Sequence, residues 1–181
     1  MGSPKALLQY QGEAFLDRLI RLFSAVCRPV VVVLGHEAER IQAGLERADD
    51  AIFVVNPDPD RGMLSSLQCG AGIPACVGSD AVLFTLVDHP NVEPSTAQRV
   101  IDEFLAHRSP VTVPVYQGRK GHPVCISREV VQQLLVLAPT SQTGDVIRAH
   151  PTRRVDVDDS GVVSDIDDPE AYAALNKAAN L

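Results

Sequence analysis

Side chains able to do polar chemistry sit at a few defined places in this 181-residue chain, each beside an apolar run or a turn. Asn56 follows Ala51–Val55, Asp88 follows Ala81–Val87, and Asp165 and Asp167 follow Val162–Val163. One carboxylate at a strand end ordinarily caps a turn or the next helix. Two carboxylate groups brought from distant segments to one sheet edge suit a hard divalent cation such as Mg²⁺, which takes oxygen ligands and keeps waters that phosphate can replace. Gly62-Met63-Leu64-Ser65-Ser66-Leu67 offers a different chemistry. Gly62 frees the backbone, Ser65 is expected to cap a Ser66–Cys76 helix, and N–H groups exposed at a helix start bind anions or nucleobase edges. Gly121-His122-Pro123 fixes a histidine that is either structural or a donor to a substrate phosphate or ring. Lys5, taken alone, is an ordinary surface lysine.

The elements that must position these residues alternate along the chain. Ala14–Val26 sets Phe15, Leu16, Leu19, Ile20, Leu22 and Phe23 at helical spacing. Val30–Leu34, Ala51–Val55 and Ala81–Val87 are short apolar runs of the kind buried on both faces in parallel sheets. Helices are expected over His36–Leu45, Ser65–Cys76 and Ser95–His107, between and after those strands. This βαβα order requires crossover connections and helices on both faces of a sheet. Further on, Val111–Tyr116 and Val124–Ile126 flank Gly118–Gly121 as a hairpin, and Arg128–Leu137 is helical. Arg153–Val157 and Val162–Asp165 are expected as short strands around Asp158-Asp159-Ser160-Gly161, with a last helix over Pro169–Ala179. The expected architecture is one α/β domain over 1–181, three-layered, with a mixed, mostly parallel sheet. Ligands in such sheets gather beyond the carboxyl ends of the parallel strands, where Asn56, Asp88 and the 165–167 pair fall.

Composition narrows the function classes. Apolar residues make up 45% and charged residues 22%, the balance of a globular domain rather than of a disordered chain. No uninterrupted apolar run exceeds five residues, the length of Val30–Leu34, which is too short to cross a bilayer. Sixteen basic and twenty-three acidic residues give a net charge of −7, which argues against a nucleic-acid clamp but leaves room for a small anionic substrate. Cys27, Cys69, Cys76 and Cys125 show neither C-x-x-C nor zinc spacing and read as reduced small hydrophobes. With no secretory signal pattern at Met1 onward, a cytoplasmic location is the expectation.

Taken together, Pro4-Lys5-Ala6-Leu7-Leu8 with Tyr10 and Gly12, Asn56-Pro57-Asp58, Gly62–Leu67, Leu86-Val87-Asp88-His89-Pro90, Gly118–Pro123 and Asp165–Glu170 resemble the MobA-like nucleotidyltransferases. The likeness is strongest to the molybdenum cofactor cytidylyltransferases and runs over nearly the whole chain. It implies the Rossmann-like fold of nucleotide-diphospho-sugar transferases. It also implies a reaction: an acceptor phosphate attacks the α-phosphate of a nucleoside triphosphate and releases pyrophosphate. CTP is favoured over GTP, on the Gly-Met-x-Ser-Ser form, and the acceptor is a pterin phosphate such as the molybdopterin cofactor. On this resemblance Lys5 contacts the triphosphate, Asp88 holds Mg²⁺, and Asp167 is the second carboxylate near the metal, with Asp165 its substitute. Asn56, Gly62, Ser65 and Ser66 line the base and ribose pocket, and His122 faces the acceptor. Alternatives are a cytidylyltransferase acting on a sugar or polyol phosphate and a catalytically weak nucleotide-binding module.

The sequence also departs from the family. The family begins with an apolar strand and a Gly-rich triphosphate loop, of which only Met1-Gly2 and the residues after it match here. The expectation is a shortened version of a longer protein, begun at an internal methionine, and a poor enzyme if the chain truly starts there. Ser141-Gln142-Thr143-Gly144-Asp145 departs from the family's pattern near the acceptor, with Arg148 as the replacement for its arginine.

Overall fold

The computed structural model describes residues 3–178; Met1-Gly2 and the Ala179 end of the expected last helix lie outside the described residues. A 3₁₀ turn at Lys5–Leu7 leads into a small hairpin of β1 (Gln9–Tyr10) and β2 (Glu13–Ala14). Its Gln11-Gly12 corner takes positive φ at both residues, 54° and 80°, as a two-residue hairpin turn requires. In α1 (Phe15–Val26) the six predicted apolar residues are all buried. Then follow β3 (Val31–Leu34), α2 (Ala38–Ala43), β4 (Ile52–Val55), α3 (Met63–Ala71), β5 (Ala81–Phe84) and α4 (Pro94–His107). The second half holds β6 (Val111–Tyr116), β7 (Arg119–Lys120), β8 (Val124–Ser127), α5 (Arg128–Leu135), α6 (Thr143–Ala149), β9 (Thr152–Asp156) and α7 (Pro169–Ala178).

Among the described residues the strands form two main ladders. β3 and β4 pair in parallel, Val31 to Leu34 against Ile52 to Val55. In the larger sheet β8 lies antiparallel between β5 and β6, while β9 runs parallel to β6 on its other side. Hence β5, β6 and β9 all point one way, and the sheet is mixed with its principal strands co-directional. Val111, Val113 and Val115 of β6 face a cluster with Leu64 of α3 and Val130, Val131 and Leu134 of α5. Val155 of β9, registered with Pro114, lies on the opposite face with Leu19, Leu22 and Phe23 of α1 and Ala97 of α4. Those two helix layers around one sheet give the expected three-layer α/β architecture.

Several boundaries differ from expectation, for physical reasons. Val162-Val163 belong to a 3₁₀ turn, Ser160–Val163, and not to a strand. Asp159 accepts from Gly161 N, which curls the chain there, and Val162 is buried by packing rather than by pairing. α3 starts at Met63 with Gly62 as its N-cap. Ser65 therefore sits inside the first turn, donating to the Gly62 carbonyl at 2.8 Å instead of capping. The helix stops at Ala71, and 72–78 form turns. α6 lies in a segment for which the sequence predicts no element.

Candidate active site

The loop after β5 carries Asp88 and His89, and the chain returns to it after the Ser160–Val163 turn. There Ile166 N donates to the Asp88 carbonyl at 3.0 Å. Ile166 is buried against Phe15 and Leu175, so the residues on either side of it, Asp165 and Asp167, are set at the sheet end. The first turn of the chain supplies the counter-charge. Ala6 anchors it in the core beside Leu16 and Ile20, and Lys5 Nζ donates to Asp167 Oδ1 at 2.8 Å and lies 3.9 Å from Asp88 Oδ2. The Lys5 ammonium holds the exposed Asp167 carboxyl below its ordinary range, mainly through that hydrogen bond.

A third segment closes the group. The β6–β7–β8 register slips by two residues between the Val115–Lys120 and Thr112–Cys125 pairs, leaving Gly121, His122 and Pro123 outside the ladder. His122 N donates to the Val162 carbonyl at 2.9 Å. Gly121 passes so close that a Cβ there would lie 2.0 Å from Val162 O, a contact that excludes any side chain. The His122 ring stacks at 4.8 Å on His89 and meets Phe84 edge-on. Burial, and then the neighbouring His89, push His122 down to about 4. His89 is itself buried, with Nδ1 3.4 Å from the Gly161 carbonyl and Nε2 3.3 Å from Asp165 and 3.7 Å from Asp88.

A cleft of about 410 Å³ is lined by Asp88, His89, Asp165 and Asp167 together with Arg119, Lys120 and His122. A hollow of about 460 Å³ lined by Arg28, Val30, Asp49 and Ile52 lies at the amino ends of β3 and β4, the end of a parallel sheet that does not collect ligands. Asp88 Oδ1 is buried without a hydrogen-bond partner, an open valence that fits a cation in the cleft. Among the described residues no three His, Cys, Asp or Glu side chains converge as a metal cage. A pair of carboxylates that leaves the other positions to water and phosphate is the donor set suited to Mg²⁺ rather than to a structural metal.

Asn56, Gly62, Ser65 and Ser66 form a separate group. Asn56 is buried, donates to Ser65 Oγ at 2.8 Å and Ser66 Oγ at 3.1 Å, and accepts from Asp58 N. This network ties the loop after β4 to the first turn of α3, where Gly62 adopts φ 82°. The structure thus brings Asp88, Asp167 and His122 to one cleft, with Lys5 bonded to Asp167, while the Asn56 group does not line that cleft. His89 went unassigned in the sequence. Its only signal there is its place beside Asp88, and only the tertiary packing shows the four groups around its ring.

The MobA-like NTP transferase domain matches residues 1–155. The chain belongs to that family. Among solved structures, this MobA-like domain superposes on Rv0371c from Mycobacterium tuberculosis H37Rv with a TM-score of 0.82 and 27% identity, covering 98% of this chain and 90% of that one. The manganese complex of Rv0371c gives a TM-score of 0.80 at 26% identity, over 97% and 92% of the two chains. The 2-C-methyl-D-erythritol 4-phosphate cytidylyltransferase of Thermus thermophilus shares the fold, with a TM-score of 0.69 at 19% identity over 99% and 95% of the chains. The bifunctional protein GlmU of Bifidobacterium animalis subsp. lactis (strain AD011) is 29% identical over 102 residues, 55% of this chain and 22% of that protein. The MobA-like domain therefore matches less than a quarter of that curated relative's length. Among the described residues no helix is long and apolar enough to cross a membrane.

Proposed function

We propose that this chain is a divalent-metal-dependent nucleotidyltransferase that moves CMP, in preference to GMP, from the triphosphate to a phosphorylated acceptor such as the molybdopterin cofactor. The observation that carries the reading is the Lys5 ammonium set between Asp167 at 2.8 Å and Asp88 at 3.9 Å, beside a cleft where the buried Asp88 Oδ1 accepts no hydrogen bond. The acceptor phosphate is ionised at neutral pH, so its oxygen attacks the α-phosphorus with no general base to remove a proton. The new P–O bond forms as the bond to the β-phosphate breaks, and the electron pair leaves with pyrophosphate. Positioning and charge neutralisation supply most of the rate in such a transfer.

Asp88 and Asp167 are the residues that would hold Mg²⁺, which when bound neutralises negative charge spread over the triphosphate. Manganese in the Rv0371c complex supports a divalent ion of this kind. Lys5 contacts the triphosphate once Asp167 releases it. His122 meets the acceptor, with Arg119 and Lys120 supplying positive charge along the same cleft. The buried Asn56–Ser65 network fixes the shape of the base and ribose pocket, and Gly62 with the first N–H groups of α3 presents backbone donors there.

The test is a product assay of the purified chain with Mg²⁺, CTP or GTP, and pterin, sugar and polyol phosphates in turn. Pyrophosphate release with a CMP adduct of the pterin phosphate is the expected result. A CMP adduct formed only with a sugar or polyol phosphate would move the acceptor assignment. Nucleotide binding without pyrophosphate release from any pair would make the chain a binding module and overturn the transfer reading.

A further inference from the structure

We propose that His89 is a positioning residue that locks Asp165 and Asp88 in place and transmits their arrangement to His122, an inference that rests on the transfer reading of the cleft. An imidazole that is 3% exposed needs partners for both nitrogens, because a buried polar atom left alone is costly. A carbonyl and a carboxylate only accept, so the 3.4 Å contact of Nδ1 with Gly161 O and the contacts of Nε2 with the two aspartates both call for N–H groups on the ring. Nε2 is thereby directed between the two carboxylates, nearer to Asp165 than to Asp88. The face of the same ring carries His122 at 4.8 Å and 33°. One side chain therefore touches the loop after β5, the 3₁₀ turn, the return segment and the β7–β8 loop. This also separates the two aspartates around Ile166. Asp165, 57% exposed, faces His89 at 3.3 Å, whereas Asp167, 67% exposed, is hydrogen-bonded to Lys5. Asp165 thus supports the site from outside, and Asp167 stays free to change partners when a nucleotide enters.

The test uses the full chain with His89→Leu, which keeps much of the ring's volume, and His89→Gln, whose amide donor replaces Nε2. Affinity for CTP with Mn²⁺ is read by calorimetry, and the His122 Cε1–H resonance is read by NMR at fixed pH. His89→Leu is expected to weaken CTP–Mn²⁺ binding about tenfold and to move the His122 resonance, with His89→Gln recovering most of the affinity. Asp165→Asn is expected to weaken binding in the native background but to change it less than twofold on top of His89→Leu. Asp167→Asn, by contrast, is expected to add its full effect in both backgrounds. Multiplying effects for His89 and Asp165, or unchanged binding in His89→Leu, would overturn the positioning role. If the native chain binds no CTP–Mn²⁺, the transfer reading fails and the NMR arm decides for His89 alone. A His122 resonance moved by both His89→Leu and Asp165→Asn supports the link, and one moved by neither refutes it.

Discussion

Lys5 and Asp167 are 162 positions apart in the chain yet hydrogen-bonded, and both are at least partly open to solvent. Such a pair contributes little to stability, so its interest lies in what each partner does when the other is drawn away. Asp88 differs because it is largely shielded and one of its oxygens accepts no hydrogen bond. Asp88→Ala is therefore expected to abolish most Mg²⁺-dependent transfer, by a factor of about 100 or more, while Lys5 and the fold remain. Unchanged metal-dependent turnover in that variant would remove Asp88 from the site. His122 supplies a second residue-scale expectation, for stability. Its folded-state value of about 4 lies below the ordinary 6.5. Between those values the unfolded chain takes a proton that the native chain refuses. Stability from the neutral ring is thus complete above about pH 6.5 and is lost as pH falls toward 4, by up to about 3 kcal/mol. Urea unfolding at pH 7 and pH 4.5 is expected to show this loss in the native chain and to show it reduced in His122→Leu. An equal loss in both would mean that other groups set the acid limb.

At the scale of elements, the 3₁₀ turn Ser160–Val163 is the clasp of the site. Asp159 holds its start while also accepting from Glu93 N and Thr96 Oγ1 at the head of α4. The turn then offers the Gly161 carbonyl to His89 and the Val162 carbonyl to His122. Gly121→Ala would drive a methyl group to 2.0 Å from Val162 O. It is expected to destabilise the domain by about 2–4 kcal/mol and to separate His122 from His89. Denaturant melts and the His122 resonance check this, and a stable variant with an unmoved resonance would show that the loop can give way. This clasp was the part least legible in the sequence. Val162-Val163 after a turn signal reads as a strand, and nothing in a local pattern says that the Val162 carbonyl accepts from the distant His122 N. α1 was legible because its apolar spacing is itself the cause of its burial. Asp88 was legible because it follows the apolar run of β5, whereas Asp165 and Asp167 follow a 3₁₀ turn and not the expected strand. His89 was hidden because its four contacts come from four separate segments. Ser65 misled because a cap and a first-turn serine look alike until the glycine at the helix start is seen to take the cap.

At the scale of the whole molecule, the two ladders differ in how they are held. β6 is the middle of the larger sheet, paired on both sides by β8 and β9, and its Val111, Val113 and Val115 are at most 4% exposed. β3 and β4 pair only with each other among the described residues, and Ile52 and Val55 of β4 are 41% and 60% exposed. α1 and α3 join the small ladder to the rest: Leu16 and Ile20 pack on Val32 and Leu34, and Gly70 lies against Val33. A two-stranded ladder owes its order to such packing more than to its own pairing. It should therefore open at lower free energy than the larger sheet. Native-state amide exchange is expected to show faster exchange for the β3–β4 pairing amides than for those linking β6 to β9. The loop after β4 carries Asn56, so each opening of β4 also loosens the Asn56–Ser65 network at the head of α3. Asn56→Ala is then expected to speed exchange in β4 and in the first turn of α3 while leaving β6 and β9 unchanged. Uniform acceleration across both ladders would mean that the domain opens as one unit and that the two halves of the candidate site are coupled through the whole fold.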